Sequence, residues 1–164
     1  MGEAMTLSDQ QFYAADVNRW HASIVPELRN CGDTIQSHQM RCLGLVSRLF
    51  TAPKSTLVCA TRWHDQPEVI LGDMPFTAKR DYPGFAAAWD TMERHVIAQY
   101  NVPQPASPWE RDVVKLVDRM DAYMIARKHA PYVMREDDWL DALDDIESRA
   151  VALGLRDKVF DIIG

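Results

Sequence analysis

Apolar residues along this chain recur at intervals of three and four, and no stretch alternates apolar with polar over a useful strand length, so the pattern predicts helices throughout. Met40, Leu43, Val46 and Phe50 share one helical stripe and predict a helix over 37–50, stopped by Pro53. A shorter helix is expected over "STLVCATRWHD", after which Pro67 pushes Gln66 out of helical geometry and opens a turn of its own. Upstream, Ser8 followed by Gln11 reads as a capping box for a helix over "QQFYAADVNRW", ending near Arg19 or Trp20. "PELRNCGDTIQ" is turn-rich.

Further on, "GDMPFTAKRDYPG" has the proline and glycine content of a loop, and Phe85, Trp89, Met92 and Val96 return to helical spacing within "FAAAWDTMERHVIAQY". "NVPQPASP" is a second loop. A long helix is expected over 109–128, and an acidic amphipathic one over 136–153, capped by Gly154 and with "REDDWLDALDDIE" as a solvated face. The expected class is all-α, a single compact helical bundle spanning 1–164.

Composition narrows the function classes. A length of 164 residues suits one domain able to bury its own core. The net charge of −6 argues against coating a nucleic-acid polymer, which needs a basic surface, but leaves room for a pocket that holds one nucleotide. Cys31, Cys42 and Cys59 are odd in number and match no CxxC spacing, so reduced thiols in a cytoplasm are expected rather than a disulfide framework. No apolar run approaches a membrane span, and the start of the chain lacks the features of a signal peptide. "MGEAMT" fits the myristoylation pattern, but so short a match arises by chance.

Two anomalies carry chemistry. In "WHDQPEVILGDMP" a histidine and an aspartate stand side by side, followed by Glu68 and Asp73 among apolar neighbours. In "WERDVVKLVDRMDAYMIARK" Asp118 shares a stripe with Val114, Ala122 and Ile125 that is expected to face the core, and a buried carboxylate needs a cation, a metal or hydrogen-bond donors. Taken singly, a helical histidine or aspartate is more often structural, and Arg62 and Arg119 are available to pair with an acid. Together His38, His64, Asp65 and Asp118 offer two imidazoles and two carboxylates, a set suited to a divalent ion such as Mn, Co, Fe or Zn, with positions open for water and substrate. Mg is a further candidate.

The order His … His-Asp … Asp resembles the HD-domain metal-dependent phosphohydrolases. The likeness extends to "RW" at 19–20, "SH" at 37–38, "HDQPEVILGDMP" at 64–75, Lys79 and "LVDRMDAY" at 116–123, over roughly 8–130. Within that family it is similar to bacterial 5′-deoxynucleotidases of the YfbR type and to phage dATP triphosphohydrolases. The resemblance implies that His38, His64, Asp65 and Asp118 are metal ligands. It further implies that Glu68 activates the attacking water, that Arg19 and Lys79 bind phosphate, that Asp73 accepts a hydrogen bond from the sugar 3′-hydroxyl and that Trp20 packs against the sugar or base. The relatives carry a glutamate just before the first histidine, whereas Gln36 and Ser37 precede His38 here, a difference that bears on how that ligand is oriented.

The intervals between the two histidines and between Asp65 and Asp118 are short, a spacing more like the compact phage enzymes, in which a triphosphate tail has room. The expected activity is therefore hydrolysis of a dNTP, dATP foremost, to deoxynucleoside and triphosphate. The runner-up is a 5′-deoxynucleotidase acting on dNMPs, and a third reading is a non-catalytic nucleotide-binding module. A cytoplasmic homo-oligomer is expected, phage-encoded in the host cytoplasm under the first reading, with a deoxynucleotide as partner and no membrane. His21, His95 and His129 match nothing in the pattern and read as surface residues.

Overall fold

The computed structural model describes residues 14–164. They form an all-α protein: α1 Pro26–Arg29, α2 Ile35–Leu49, α3 Ser55–Trp63, α4 Glu68–Leu71, α5 Phe76–Asp81, α6 Pro83–Tyr100, α7 Pro108–His129, a 3₁₀ turn Pro131–Arg135, α8 Asp137–Ala152 and α9 Arg156–Ile163. Among the described residues the only extended pairing is one isolated bridge between Asn18 and Thr34. None of these helices is long and apolar enough to cross a membrane. The Ser8–Gln11 capping box and the "MGEAMT" stretch lie outside the described residues.

The chain divides into two compact units. The first comprises the chain up to Gln39 with Trp63–Pro103, the second Met40–Arg62 with Gln104–Gly164. In the second unit the apolar core is drawn from Cys42, Leu45, Val46 and Leu49 of α2, Leu57 and Ala60 of α3, Val113, Leu116, Val117 and Met120 of α7, Ile146 and Ala150 of α8, and Val159 and Ile163 of α9. The stripe expected on α2 is thus shifted: Met40 is exposed, and the buried side is the one carrying Cys42, Leu45 and Leu49.

Caps explain where the helices begin and end. Ser107 accepts the N–H of Glu110 at 3.1 Å, while the Glu110 carboxylate returns a bond to the N–H of Ala106 at 2.8 Å, closing the start of α7. Gly154 ends α8 as expected, in the left-handed region at φ 69°, with its N–H on the Val151 carbonyl and that of Leu155 on Ala150. The helix α9 follows directly, an element the sequence pattern did not single out.

Three further expectations are corrected. Helical geometry does not continue to Arg19 or Trp20: residue 14 is helical and turns follow. Long-range bonds capture the backbone groups a helix would have used, from the Arg19 N–H to the Asp33 carbonyl and from the Ile35 N–H to the Val17 carbonyl. "GDMPFTAKRDYPG" is not all loop, because α5 forms between its prolines. On α6 the stripe splits, with Trp89 and Val96 buried but Phe85 and Met92 exposed.

Candidate metal centre and its surroundings

The first unit brings two sequence-distant stretches together. The Thr34 hydroxyl accepts the Ser37 N–H at 3.2 Å and caps the first turn of α2, which sets His38 one position later. That histidine is fully buried. His64 and Asp65 follow the last residue of α3, in the turn where the Gln66 N–H returns to the Trp63 carbonyl and the Glu68 N–H to the Asp65 carbonyl. Pro67 sits at the N-cap of α4 as expected, and Gly72, at φ 87°, ends that helix just before Asp73.

The side chains converge. His38 Nε2 lies 3.0 Å from His64 Nε2, with the rings edge to face. Asp65 Oδ2 lies 3.1 Å from His38 Nε2 and 3.5 Å from His64 Nε2. With metal–ligand bonds of about 2.1 Å, donor atoms on one ion stand roughly 3.0 Å apart at right angles and roughly 3.4 Å apart at the tetrahedral angle. Two of the observed separations, 3.0 and 3.1 Å, fall in that range, and the third, 3.5 Å, lies just above it. The donor set fits a borderline divalent ion, two neutral imidazoles and a carboxylate leaving further positions open. Burial pushes the Asp65 carboxyl up, but its interaction with His64, a hydrogen bond from His38 and the charge of Arg19 outweigh it and hold it well below the usual carboxylate range.

Glu68 stands beside this cluster and is buried. Its Oε2 makes no hydrogen bond among the described residues. Burial, reinforced by the negative charges of Asp65 and Asp73, pushes its pKa well above the usual glutamate value, while Arg19 and Lys79 pull the other way. That leaves a buried carboxyl oxygen with no hydrogen-bond donor, close enough to Asp65 to feel its charge.

Arg19, Trp20, Asp73 and Lys79 belong to the same unit, and the charges of Arg19, Asp73 and Lys79 act on Glu68. Arg19 reaches Asp33 Oδ2 at 3.5 Å and lies over the Trp20 ring, 5.3 Å from its centroid. The N–H of Trp20 donates to Asp73 Oδ2 at 3.1 Å and its indole N–H to Asp33 Oδ2 at 3.2 Å. Lys79 is on α5 rather than in a loop, its ammonium 3.4 Å from Glu93 Oε1, an oxygen that also accepts the Trp89 indole N–H at 2.7 Å. His21 and His95 are exposed as expected, and His129 is half-buried.

Asp118 belongs to the second unit, on α7, and is half-buried. The stripe assigned to it is the margin of the core face, whose fully buried residues are Val113, Leu116, Val117 and Met120. The acids that α7 buries are instead Glu110 at its first turn and Asp121, the latter held by Arg41 in a two-pronged ion pair of 2.6 and 3.0 Å. Arg119 reaches Asp145 at 3.6 Å. Asp33 was also missed, since in "CGDT" it reads as an ordinary turn aspartate, yet it is buried. Compared with protein-family models, curated proteins and solved structures, the chain matches none of them.

Proposed function

We propose that this chain is a metal-dependent deoxynucleotide phosphohydrolase, most in keeping with hydrolysis of a dNTP, dATP foremost, to deoxynucleoside and triphosphate. The observation that carries the reading is the convergence of His38, His64 and Asp65 within 3.5 Å, with the buried Glu68 beside them. A divalent ion held by these residues supplies Lewis acidity toward water and a phosphate oxygen. Asp118 is the fourth ligand expected from the sequence.

The roles of the chain's own groups follow from charge and position. Glu68 accepts the proton of the attacking water as its oxygen bonds to the α-phosphorus. The bond from that phosphorus to the 5′-oxygen breaks, and the leaving oxygen takes a proton from solvent to become the deoxynucleoside 5′-hydroxyl, while Glu68 returns the proton it accepted to solvent. Arg19 and Lys79, the cations felt by Glu68, offset charge on the phosphate oxygens. Trp20 packs against the sugar and Asp73 accepts from its 3′-hydroxyl.

The test is a screen of dNTPs, dNMPs and ribonucleotides after dialysis against EDTA and re-addition of Mn, Co, Zn or Mg. Turnover of dATP that yields orthophosphate only after a polyphosphatase is added supports the proposal. Direct orthophosphate release from dAMP alone shifts the assignment to a 5′-deoxynucleotidase at the same site. Binding of deoxynucleotides with no turnover under any metal leaves a non-catalytic nucleotide-binding module.

A further inference from the structure

Trp20 has a backbone φ of 64°, a left-handed conformation that a bulky residue rarely adopts. Such a conformation is strained and persists only where its surroundings enforce it. Here the enforcement has two sources within the first unit. Asp73 Oδ2 accepts the Trp20 N–H, and Asp33 holds both sides of the dipeptide: its carbonyl accepts the Arg19 N–H at 2.9 Å and its Oδ2 takes the indole N–H and the Arg19 guanidinium. The Asp33 side chain is 4% exposed and that of Arg19 10%. One carboxylate oxygen thus fixes a cation and an aromatic plane stacked on each other.

The pair it fixes points toward the chemistry. Arg19 lies close enough to Asp65 and Glu68 for its charge to act on both, and Asp73, which tethers Trp20, acts on Glu68. We propose that Asp33 is a positioning residue that couples phosphate recognition by Arg19 to sugar recognition by Trp20. The inference rests on the deoxynucleotide reading of the site and adds to it a residue that touches no substrate. Because the two bonds to Oδ2 differ in kind, they can be separated. An amide oxygen still accepts the indole N–H but carries no charge for the guanidinium, whereas a methyl group serves neither.

Asp33→Asn is therefore expected to keep the preference for dATP over ATP within about twofold of wild type while raising KM about tenfold. Asp33→Ala is expected to raise KM similarly and also to lower the dATP/ATP ratio of kcat/KM about tenfold. Metal content and Tm, measured alongside, are expected to stay near wild type for the asparagine variant. In protein labelled with 5-fluorotryptophan, the ¹⁹F resonance assigned to Trp20 by its loss in Trp20→Phe should move in Asp33→Ala and stay near its wild-type position in Asp33→Asn. If both variants lose selectivity alike, or neither changes KM, the positioning role is overturned. Wild-type protein that turns over no deoxynucleotide under any metal overturns the functional reading, and with it the role in selectivity. The ¹⁹F comparison still decides separately whether Asp33 holds the indole.

Discussion

The Nε2 atoms of His38 and His64 face each other at 3.0 Å, and Asp65 Oδ2 lies within 3.5 Å of both. Two neutral imidazoles meeting through the same nitrogen cannot both present a lone pair without a proton or a cation between them. A divalent ion satisfies all three atoms at once, so removing one should weaken the hold of the others. His38→Ala, Asp65→Ala and Asp118→Ala, the last removing the fourth ligand expected from the sequence, are each expected to abolish turnover and bound metal. Glu68→Ala is expected to keep the metal and lose kcat by roughly 10²-fold or more, as loss of a general base does. Elemental analysis of each purified variant separates the two behaviours, and a metal-free Glu68→Ala protein would refute this division of roles.

Glu68 also makes the metal-free protein sensitive to pH. Its folded pKa is raised, first by burial and then by Asp65 and Asp73, so the folded state binds its proton more tightly than the unfolded chain does. The stability from that proton is fully present below the unfolded glutamate value of about 4.3 and is lost as pH rises through the higher folded value. Asp65 has the opposite sign: its depressed pKa contributes stability that is lost in acid. EDTA-treated wild type should therefore lose Tm on raising the pH from about 5 toward neutrality, and Glu68→Gln should flatten that slope. A parallel slope in the variant would assign the effect to other groups.

The helices were legible where one face packs and the ends carry strong signals. Gly154 and Pro67 act where the pattern puts them, because a left-handed cap and a missing N–H are local properties. The convergence of His38, His64 and Asp65 was legible too, since unlike polar residues at helix ends in an apolar setting need a shared partner. What escaped was set by long-range bonds. Nothing local in "RW" announces that the Trp20 N–H is taken by Asp73, or that Asp33 holds both side chains. On α7 the pattern pointed to Asp118 as the buried acid, but that helix buries Asp121 more deeply, and the partner that permits it, Arg41, lies on α2.

That ion pair supports a stability prediction independent of the metal site. Asp121 has a side-chain exposure of 3% and Arg41 one of 34%, so removing the arginine strands a carboxylate where water reaches it poorly. Arg41→Met is expected to destabilise the protein by about 3 kcal/mol, the lower end for a broken buried pair because Arg41 is partly solvated. Asp121→Leu combined with Arg41→Met should recover much of the loss, since no uncompensated charge remains. Urea denaturation of the wild type, both single variants and the double variant measures the coupling. A double variant no more stable than Arg41→Met would show that the side chains matter for packing rather than for charge.

The last prediction concerns the sugar. Asp73 accepts the Trp20 N–H on Oδ2, and under the proposed function its carboxylate also accepts the 3′-hydroxyl of the sugar. If Trp20 packs against C2′ in the same complex, the extra oxygen of a ribonucleotide must clash or shift the ring, and strain of ~1–3 kcal/mol converts to roughly a 10- to 100-fold loss. Trp20→Ala should relax that discrimination by removing the obstructing surface. Asp73→Asn should act differently: the 3′-hydroxyl is common to dATP and ATP, so both should weaken together, with the ratio between them little changed. Dideoxy-ATP, which cannot make the bond, should already be a poor substrate for the wild type and should gain nothing from intact Asp73. Measuring kcat/KM for dATP, ATP and dideoxy-ATP in the three proteins decides it. Equal rates for ATP and dATP in the wild type would remove Trp20 from the discrimination, and dideoxy-ATP reacting as fast as dATP would remove Asp73, while either outcome leaves the metal ligands to be judged by their own variants.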